Sequence, residues 1–120
     1  MFPATITLTV ATVAKVLNRV NQDSYGSEYQ LNDTLDSWNL KFRHSTDPLD
    51  GDGVAMKRHN VFLEHVVYPT ATTLMKKDTV TVTFRHDKYS APLSVSDIAK
   101  AVNVWLGTAT NLVDVTAGIN

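Results

Sequence analysis

Apolar and polar residues alternate with a period of two through most of the chain. In DTVTVTFRH, Asp78 to His86, Val80, Val82 and Phe84 point one way while Thr79, Thr81, Thr83 and Arg85 point the other. That is the pattern of a half-buried antiparallel strand. TITLTV, Thr5 to Val10, sets Ile6, Leu8 and Val10 on one side. DSWNLKFRHS, Asp36 to Ser45, sets Trp38, Leu40, Phe42 and His44 against Asn39, Lys41 and Arg43. KRHNVFLEHVVYP, Lys57 to Pro69, reads as a long strand that the proline should end. SEYQLND reads as a short one. VAKVLNRV, Val13 to Val20, has an apolar spacing that fits a helical turn as well as a strand. Two residues separate it from the first strand, which favours a hairpin. NQDSYGS, TDPLDGDG and TATTLMKKD carry turn residues, and KYSAPLS reads as an exit loop.

Near the C-terminus the period changes. In SVSDIAKAVNVWLG, Val95, Ile98, Val102, Trp105 and Leu106 recur at helical spacing. Ser94 with Asp97 three residues on resembles a capping box, and Gly107 is a natural helix stop. A shorter helix is expected from about Ala109 to Val115. Strands first and helices last give an α+β class: an antiparallel sheet with helices on one face. The expected layout is one domain over 1–120, with a hairpin in 1–22, the sheet in 25–89 and helices in 93–116.

Composition adds boundaries. A chain of 120 residues buries only about two-thirds of its unfolded surface, so a partner that adds to the core matters. The absence of cysteine excludes disulfides, thiolate metal sites and a cysteine nucleophile. No apolar run approaches a membrane span, and MFPATITLTV lacks the basic residues of a signal peptide, so the expectation is a protein that stays in the cytoplasm where it is made. The net charge of −1 argues against a strongly basic nucleic-acid binder. The charge is nevertheless sorted: eight of the eleven Lys and Arg lie between Lys41 and Lys88, while five of the twelve acids fall in NDTLDSW and TDPLDGDG.

The dipeptide Arg-His occurs three times, at Arg43-His44, Arg58-His59 and Arg85-His86. The first ends its strand, the second begins the next, and the third ends the one after. In an antiparallel meander all three reach the same end of the sheet, with the arginines on one face and the histidines on the other. The arginine face then carries Asn39, Lys41, Arg43, Arg58, Asn60, Phe62, Glu64, Thr79, Thr81, Thr83 and Arg85. Such a face can hold RNA phosphates with Arg and Lys and contact bases with Phe62, Asn and Thr. Taken alone, these residues favour the plainer reading of a solvated sheet face.

The three histidines could ligate zinc, but hydrogen-bonded residues at the rim of the core are the stronger expectation. Asp50-Gly51-Asp52-Gly53 lacks the remaining ligands of an EF-hand loop and reads as a turn, with a weak ion site between subunits as the alternative. There is no phosphate-binding glycine loop and no nucleophile elbow. No catalytic residue, metal site, cofactor or small-molecule substrate is expected.

The hairpin start, the run AKVLNRVNQDSYGSEYQL, the KFRH strand end, RHNVFLEHVVYP and the two C-terminal helices together resemble the coat proteins of small single-stranded RNA bacteriophages. The likeness covers nearly the whole chain. It implies a hairpin, a multistranded antiparallel sheet and two helices that pack across the sheet of a dimer partner. It further implies assembly of dimers into an icosahedral shell, genomic RNA against the inner sheet face, and in many members repression of translation through an RNA hairpin. The virion, and the host cytoplasm during assembly, would be its locations. On this basis Asn39, Lys41, Arg43, Arg58, Asn60, Phe62, Glu64, Thr81, Thr83 and Arg85 face RNA, and Val95, Ile98, Val102, Trp105 and Leu106 face the dimer partner. The strand count departs from the family pattern. The clear strands fall one short, so either NQDSYGSEYQLND holds two strands or the hairpin region differs. Rival readings are a cellular dimeric nucleic-acid-binding module with a sheet platform, a protein-interaction domain and, last, a small enzyme.

Overall fold

The computed structural model describes residues 2–49, 51–87 and 92–119. Six strands run in chain order: β1 (Thr5–Val10), β2 (Val13–Asp23), β3 (Gly26–Asn32), β4 (Asp36–Thr46), β5 (Met56–Val67) and β6 (Lys76–Asp87). Two helices follow, α1 (Pro92–Leu106) and α2 (Asn111–Thr116). The strands form one antiparallel sheet in the order β1-β2-β3-β4-β5-β6, so the hairpin is continuous with the rest. NQDSYGSEYQLND contains the end of β2 and the whole of β3, joined by a turn at Ser24 and Tyr25, and holds no additional strand.

All of the core lies on one side. Leu17, Tyr29, Trp38 and Leu40 are buried, with Ile6, Leu8, Leu31, Phe42, Val61 and Leu63 packed against them. These residues come from neighbouring strands at every second position, as the pleat requires. The sheet curls around them. Phe2, ahead of the edge strand β1, reaches Phe42 on β4 with ring centroids 4.7 Å apart. The hydroxyl of fully buried Tyr29 donates to the Pro3 carbonyl at 2.6 Å. The N-terminal segment thereby covers part of the open core.

The ambiguity of β2 has a physical cause. Its register shifts between Arg19 and Asn21, which pair with the consecutive residues Tyr29 and Glu28, so Val20 is an extra residue. Such a bulge bends the strand and reverses its inward parity. Leu17 is buried, while Val13, Val16 and Val20 are exposed. The helix-like spacing of the valines therefore does not mark a buried stripe. At the preceding turn, Ala11 and Thr12 both adopt positive φ, 47° and 70°, the conformation of a two-residue primed hairpin.

Several boundaries differ from those read in the sequence. The α1 helix begins at Pro92, so Ser94 and Asp97 lie inside it and Ser94 is not its N-cap. A proline in the first turn lacks only an N–H that the helix would leave unpaired there. Residues 88–91 of the expected exit loop lie outside the described residues. Lys76 and Lys77 belong to β6 and not to the turn before it, so the strand starts two residues ahead of Asp78. β5 ends two residues short of Pro69, and Thr70 organises the following turn, its hydroxyl accepting the N–H groups of Thr72 and Thr73 at 3.3 and 3.1 Å. Gly107 does follow the last residue of α1, its N–H donating to the Asn103 carbonyl at 3.0 Å. The second helix starts at Asn111, after Ala109 has turned the chain with φ of 51°.

Gly26 opens β3 where the strand approaches β4 closely. A Cβ there would collide with the Phe42 carbonyl oxygen, so any side chain forces the strands apart. Gly26→Ala is expected to lower stability by about 1–3 kcal/mol, the usual cost of overpacking against rigid backbone. A urea midpoint equal to that of the parent would show that the pair accommodates a methyl group.

Candidate nucleic-acid interface

Cross-strand partners share a face, so the register settles which side chains meet. On the side away from the core the pairing forms consecutive rungs. One rung runs Ser45, Arg58, Arg85. The next runs Gly26, Arg43, Asn60, Thr83, and the third Glu28, Lys41, Phe62, Thr81. The fourth runs Gln30, Asn39, Glu64, Thr79. All ten residues expected to face RNA therefore lie together on one surface. Between Phe62 and the polar ends are hydroxyls and amides, tied locally where the Thr83 hydroxyl donates to Asn60 Oδ1 at 3.2 Å.

The charges on this surface are unequal in availability. Arg43 donates from Nη1 to Asp23 Oδ2 at 3.2 Å, and Arg85 donates from Nε to Asp47 Oδ2 at 2.8 Å. Glu64 pairs with Lys77 at 3.4 Å. Glu28 accepts hydrogen bonds from Gln30 and Asn39, each 3.1 Å. Lys41 and Arg58 have no acidic partner among the described residues. The Asp23 carboxyl is held below the ordinary carboxylate range, first by the Tyr25 N–H at 2.7 Å, with Arg43 adding to it against the cost of desolvation. Sequence reasoning missed both acids. Asp23 ends β2 beyond the Val20 bulge, which upsets the alternation there, and Asp47 follows the end of β4, where alternation carries no information.

Arg58 sits directly opposite Arg85. Like charges in that position repel, and Asp47 neutralises only one of them. An anion bridging the two guanidiniums relieves the repulsion, and phosphate is the ligand whose geometry suits paired guanidiniums.

The histidines occupy the opposite, core-side face. His44 Nδ1 and His59 Nδ1 lie 2.8 Å apart, and His59 Nε2 and His86 Nε2 lie 2.9 Å apart. Their nitrogens are aimed at one another and do not converge on a point, and among the described residues no group of three ligating side chains could hold a metal. A fourth, His65, contacts Asp36 at 2.9 Å and stacks on Trp38 with centroids 3.8 Å apart.

The family model for the coat protein of phage phiCb5 matches residues 3–87. The chain belongs to this coat-protein family. The match covers the whole sheet, including the rungs and the histidines, and stops before the helices. Two solved structures extend the likeness. The coat protein of bacteriophage EMS014 aligns with a TM-score of 0.71 at 20% identity, over 91% of this chain and 76% of that one. The virus-like particle of bacteriophage AVE019 aligns with a TM-score of 0.70 at 15% identity, over 100% of this chain and 98% of that one. Among curated proteins none matches the chain. The coat-protein fold thus comprises the six-stranded antiparallel sheet and the C-terminal helices together.

The rung geometry yields a stability test. Arg58→Ala removes one of two opposed cations and is expected to change stability by less than about 0.5 kcal/mol. Asp47→Asn leaves both cations facing each other and is expected to cost about 0.5–1 kcal/mol, with the penalty shrinking in high salt. Urea titrations at low and high ionic strength check both, and equal effects for the two variants would mean the arginines do not feel each other.

Proposed function

We propose that this coat protein pairs into an interlocked dimer through its helices, assembles into an icosahedral shell and holds single-stranded genomic RNA on the rung face. The observation that carries this reading is the division of the sheet into a core side that the single chain does not finish and a polar, partly cationic side against which no other described element packs.

The accessible surface is 8774 Å². A compact monomer of this mass, 13.3 kDa, exposes about 6,450 Å², leaving an excess of about 2,300 Å². The radius of gyration, 17.0 Å, likewise exceeds the roughly 13.6 Å of a compact chain. Permanent interfaces bury about 2,000–5,000 Å² over both partners, and the excess on two subunits, about 4,600 Å², falls near the top of that range, so one extensive dimer interface would remove it. The uncovered apolar groups are concentrated accordingly. Ile98, Val102 and Trp105 are 63%, 54% and 58% exposed. Leu112, Val113 and Val115 on α2, and Val80 on the core side of β6, are exposed as well. Val95 and Leu106, also expected at the dimer interface, are already partly covered within the chain. Placing one subunit's helices on the other's sheet, with the two β6 edges paired, covers both sets.

On the RNA side, Lys41 and Arg58 supply the available charge, Arg43 and Arg85 join them as their acids are displaced, and Phe62 offers a stacking surface. Two such faces joined across a dimer also make a platform wide enough for an RNA hairpin, through which translational repression would operate. The virion is then the protein's final location, reached from the host cytoplasm. Electron microscopy of the recombinant full chain, with the ultraviolet absorbance ratio read on the same fractions, tests the whole reading. Spherical particles rich in nucleic acid are expected. Soluble dimers under every salt condition would favour instead a cellular nucleic-acid-binding module on the same fold.

Two variants separate the parts. Combined replacement of Arg43, Arg58 and Arg85 by Ala is expected to lower nucleic-acid content while the dimer stays folded. Unchanged content and salt dependence would remove the rung face from RNA binding. Trp105→Ala is expected to weaken the dimer by more than tenfold, as truncation of a central interface aromatic does. Sedimentation over a dilution series checks this, and an unaltered dissociation constant would place Trp105 outside the interface.

A further inference from the structure

The histidine row lies where β4 ends, β5 begins and β6 ends, and α1 passes above it. Val95, Ser96 and Ala99 of the helix line a small cleft with His59, Phe84 and His86. Hydrogen bonding dictates how many protons the row can hold. His86 Nδ1 is 3.0 Å from the Asp87 carbonyl oxygen, which can only accept, so this nitrogen carries a proton. In neutral His86, Nε2 is then an acceptor, and His59 Nε2 donates to it across 2.9 Å. The two rings are nearly parallel, at 14°, with centroids 5.1 Å apart, and they meet through these nitrogens. His59 Nδ1 is left as an acceptor, and His44 Nδ1 donates to it across 2.8 Å. One set of tautomers therefore satisfies all three rings with every imidazole neutral.

A single additional proton fits. It goes to Nε2 of exposed His44, outside both contacts. A second or third does not, because each would place N–H against N–H in one of the two contacts. We propose that His44, His59 and His86 form a proton-gated clasp, which ties β4, β5 and β6 together beneath α1 while it holds no more than one extra proton and opens when a second is forced upon it.

Among the described residues no ion pair to a carboxylate is recorded for His44, His59 or His86. Burial first, then His44, His86 and Lys57, push the affinity of His59 for a proton below the ordinary range. From β2, Asp23 lines a cleft with His44, but its carboxylate is engaged by Tyr25 and Arg43. From β5, Lys57 lies opposite His86, and Asp87 on β6 presents its carbonyl to the row. The residues of α1 in the cleft are uncharged, and the helix's charged residues, Asp97 and Lys100, are exposed. An unfolded chain binds a proton on each histidine below about pH 6.5. The folded row accepts one, so unfolding takes up as many as two more. Stability is then full above the histidine range and falls as the pH drops through it, by as much as a hundredfold per pH unit in the folding constant. In the dimer proposed above, the clasp sits at the seat of a helix, and on that reading acid loosens the seat.

The test is urea unfolding of the full chain from pH 8 to 5. The wild-type folding constant is expected to fall more steeply than the tenfold per pH unit that one proton allows. His44→Gln leaves a two-membered row that refuses one proton, so its slope should drop to tenfold or less. His59→Gln separates the remaining rings and should flatten the dependence, whereas His65→Gln, outside the row, should keep it steep. A wild-type slope of tenfold or less, or a His44→Gln variant with the parental slope, overturns the clasp. His44→Gln decides the matter even if His59→Gln fails to fold. None of these outcomes depends on particles being formed.

Discussion

The register between β3 and β6 is the constraint from which the other features follow. Leu40 pairs with Leu63 and Leu63 with Val80 on one side, while Lys41 pairs with Phe62 and Phe62 with Thr81 on the other. Because the side-chain period is two, a slip of one residue in any strand would carry leucine and valine to the solvent side and lysine into the core. Burial of the apolar rungs therefore also fixes the polar rungs, although the polar residues contribute little to holding the sheet. The polar face is positioned by the hydrophobic energy of the apolar one.

A six-stranded sheet with its core on one side has to cover that side. The chain does so from two directions. The Val20 bulge bends β2, and the N-terminal segment folds over β3 and β4, where Pro3 accepts from Tyr29 and Phe2 meets Phe42. At the other end α1 approaches β6 and leaves Ile98, Val102 and Trp105 in water. Tyr29 and Leu17, under the first cover, are fully buried, whereas Val80 is 58% exposed. Stability is thus graded across the sheet, and the poorly covered half is the one that the proposed dimer would complete.

What is legible in the sequence follows the same logic. Alternation is a local signal, so the spacing of the rung residues from Asn39 to Arg85 is enough by itself to assign them to a face. The bulge spoils that signal in β2, where Val13, Val16, Leu17 and Val20 mimic a helix while only Leu17 is buried. The start of α1 is misplaced at Ser94 because proline in a first turn has the same local signature as a loop residue. The ion pairs are invisible for a different reason. Asp23 to Arg43 and Asp47 to Arg85 bridge 20 and 38 positions, and they depend on the register past the Val20 bulge and on how the segment after β4 lies against β6. The histidine contacts need the exact cross-strand offset, His44 opposite His59 and His86 one diagonal away, which composition cannot supply.

Those ion pairs change the electrostatic argument for RNA. Counting four cations on the face overstates the free charge, because the acids at Asp23 and Asp47 already compensate two of them. Each phosphate that docks on Arg43 or Arg85 must compete with a carboxylate held within 3.2 Å. On the proposed reading the attraction per subunit would be correspondingly modest, in keeping with a net charge of −1, and an unassembled chain would not collect nucleic acid indiscriminately. A shell places many such faces around one continuous polyanion, and weak contacts joined in that way multiply their effect without any single strong one. Internal pairing of Arg43 and Arg85 is thus compatible with the proposed RNA packaging. On that proposal, retention of a genome would depend on assembly, which a face of four free cations would not require.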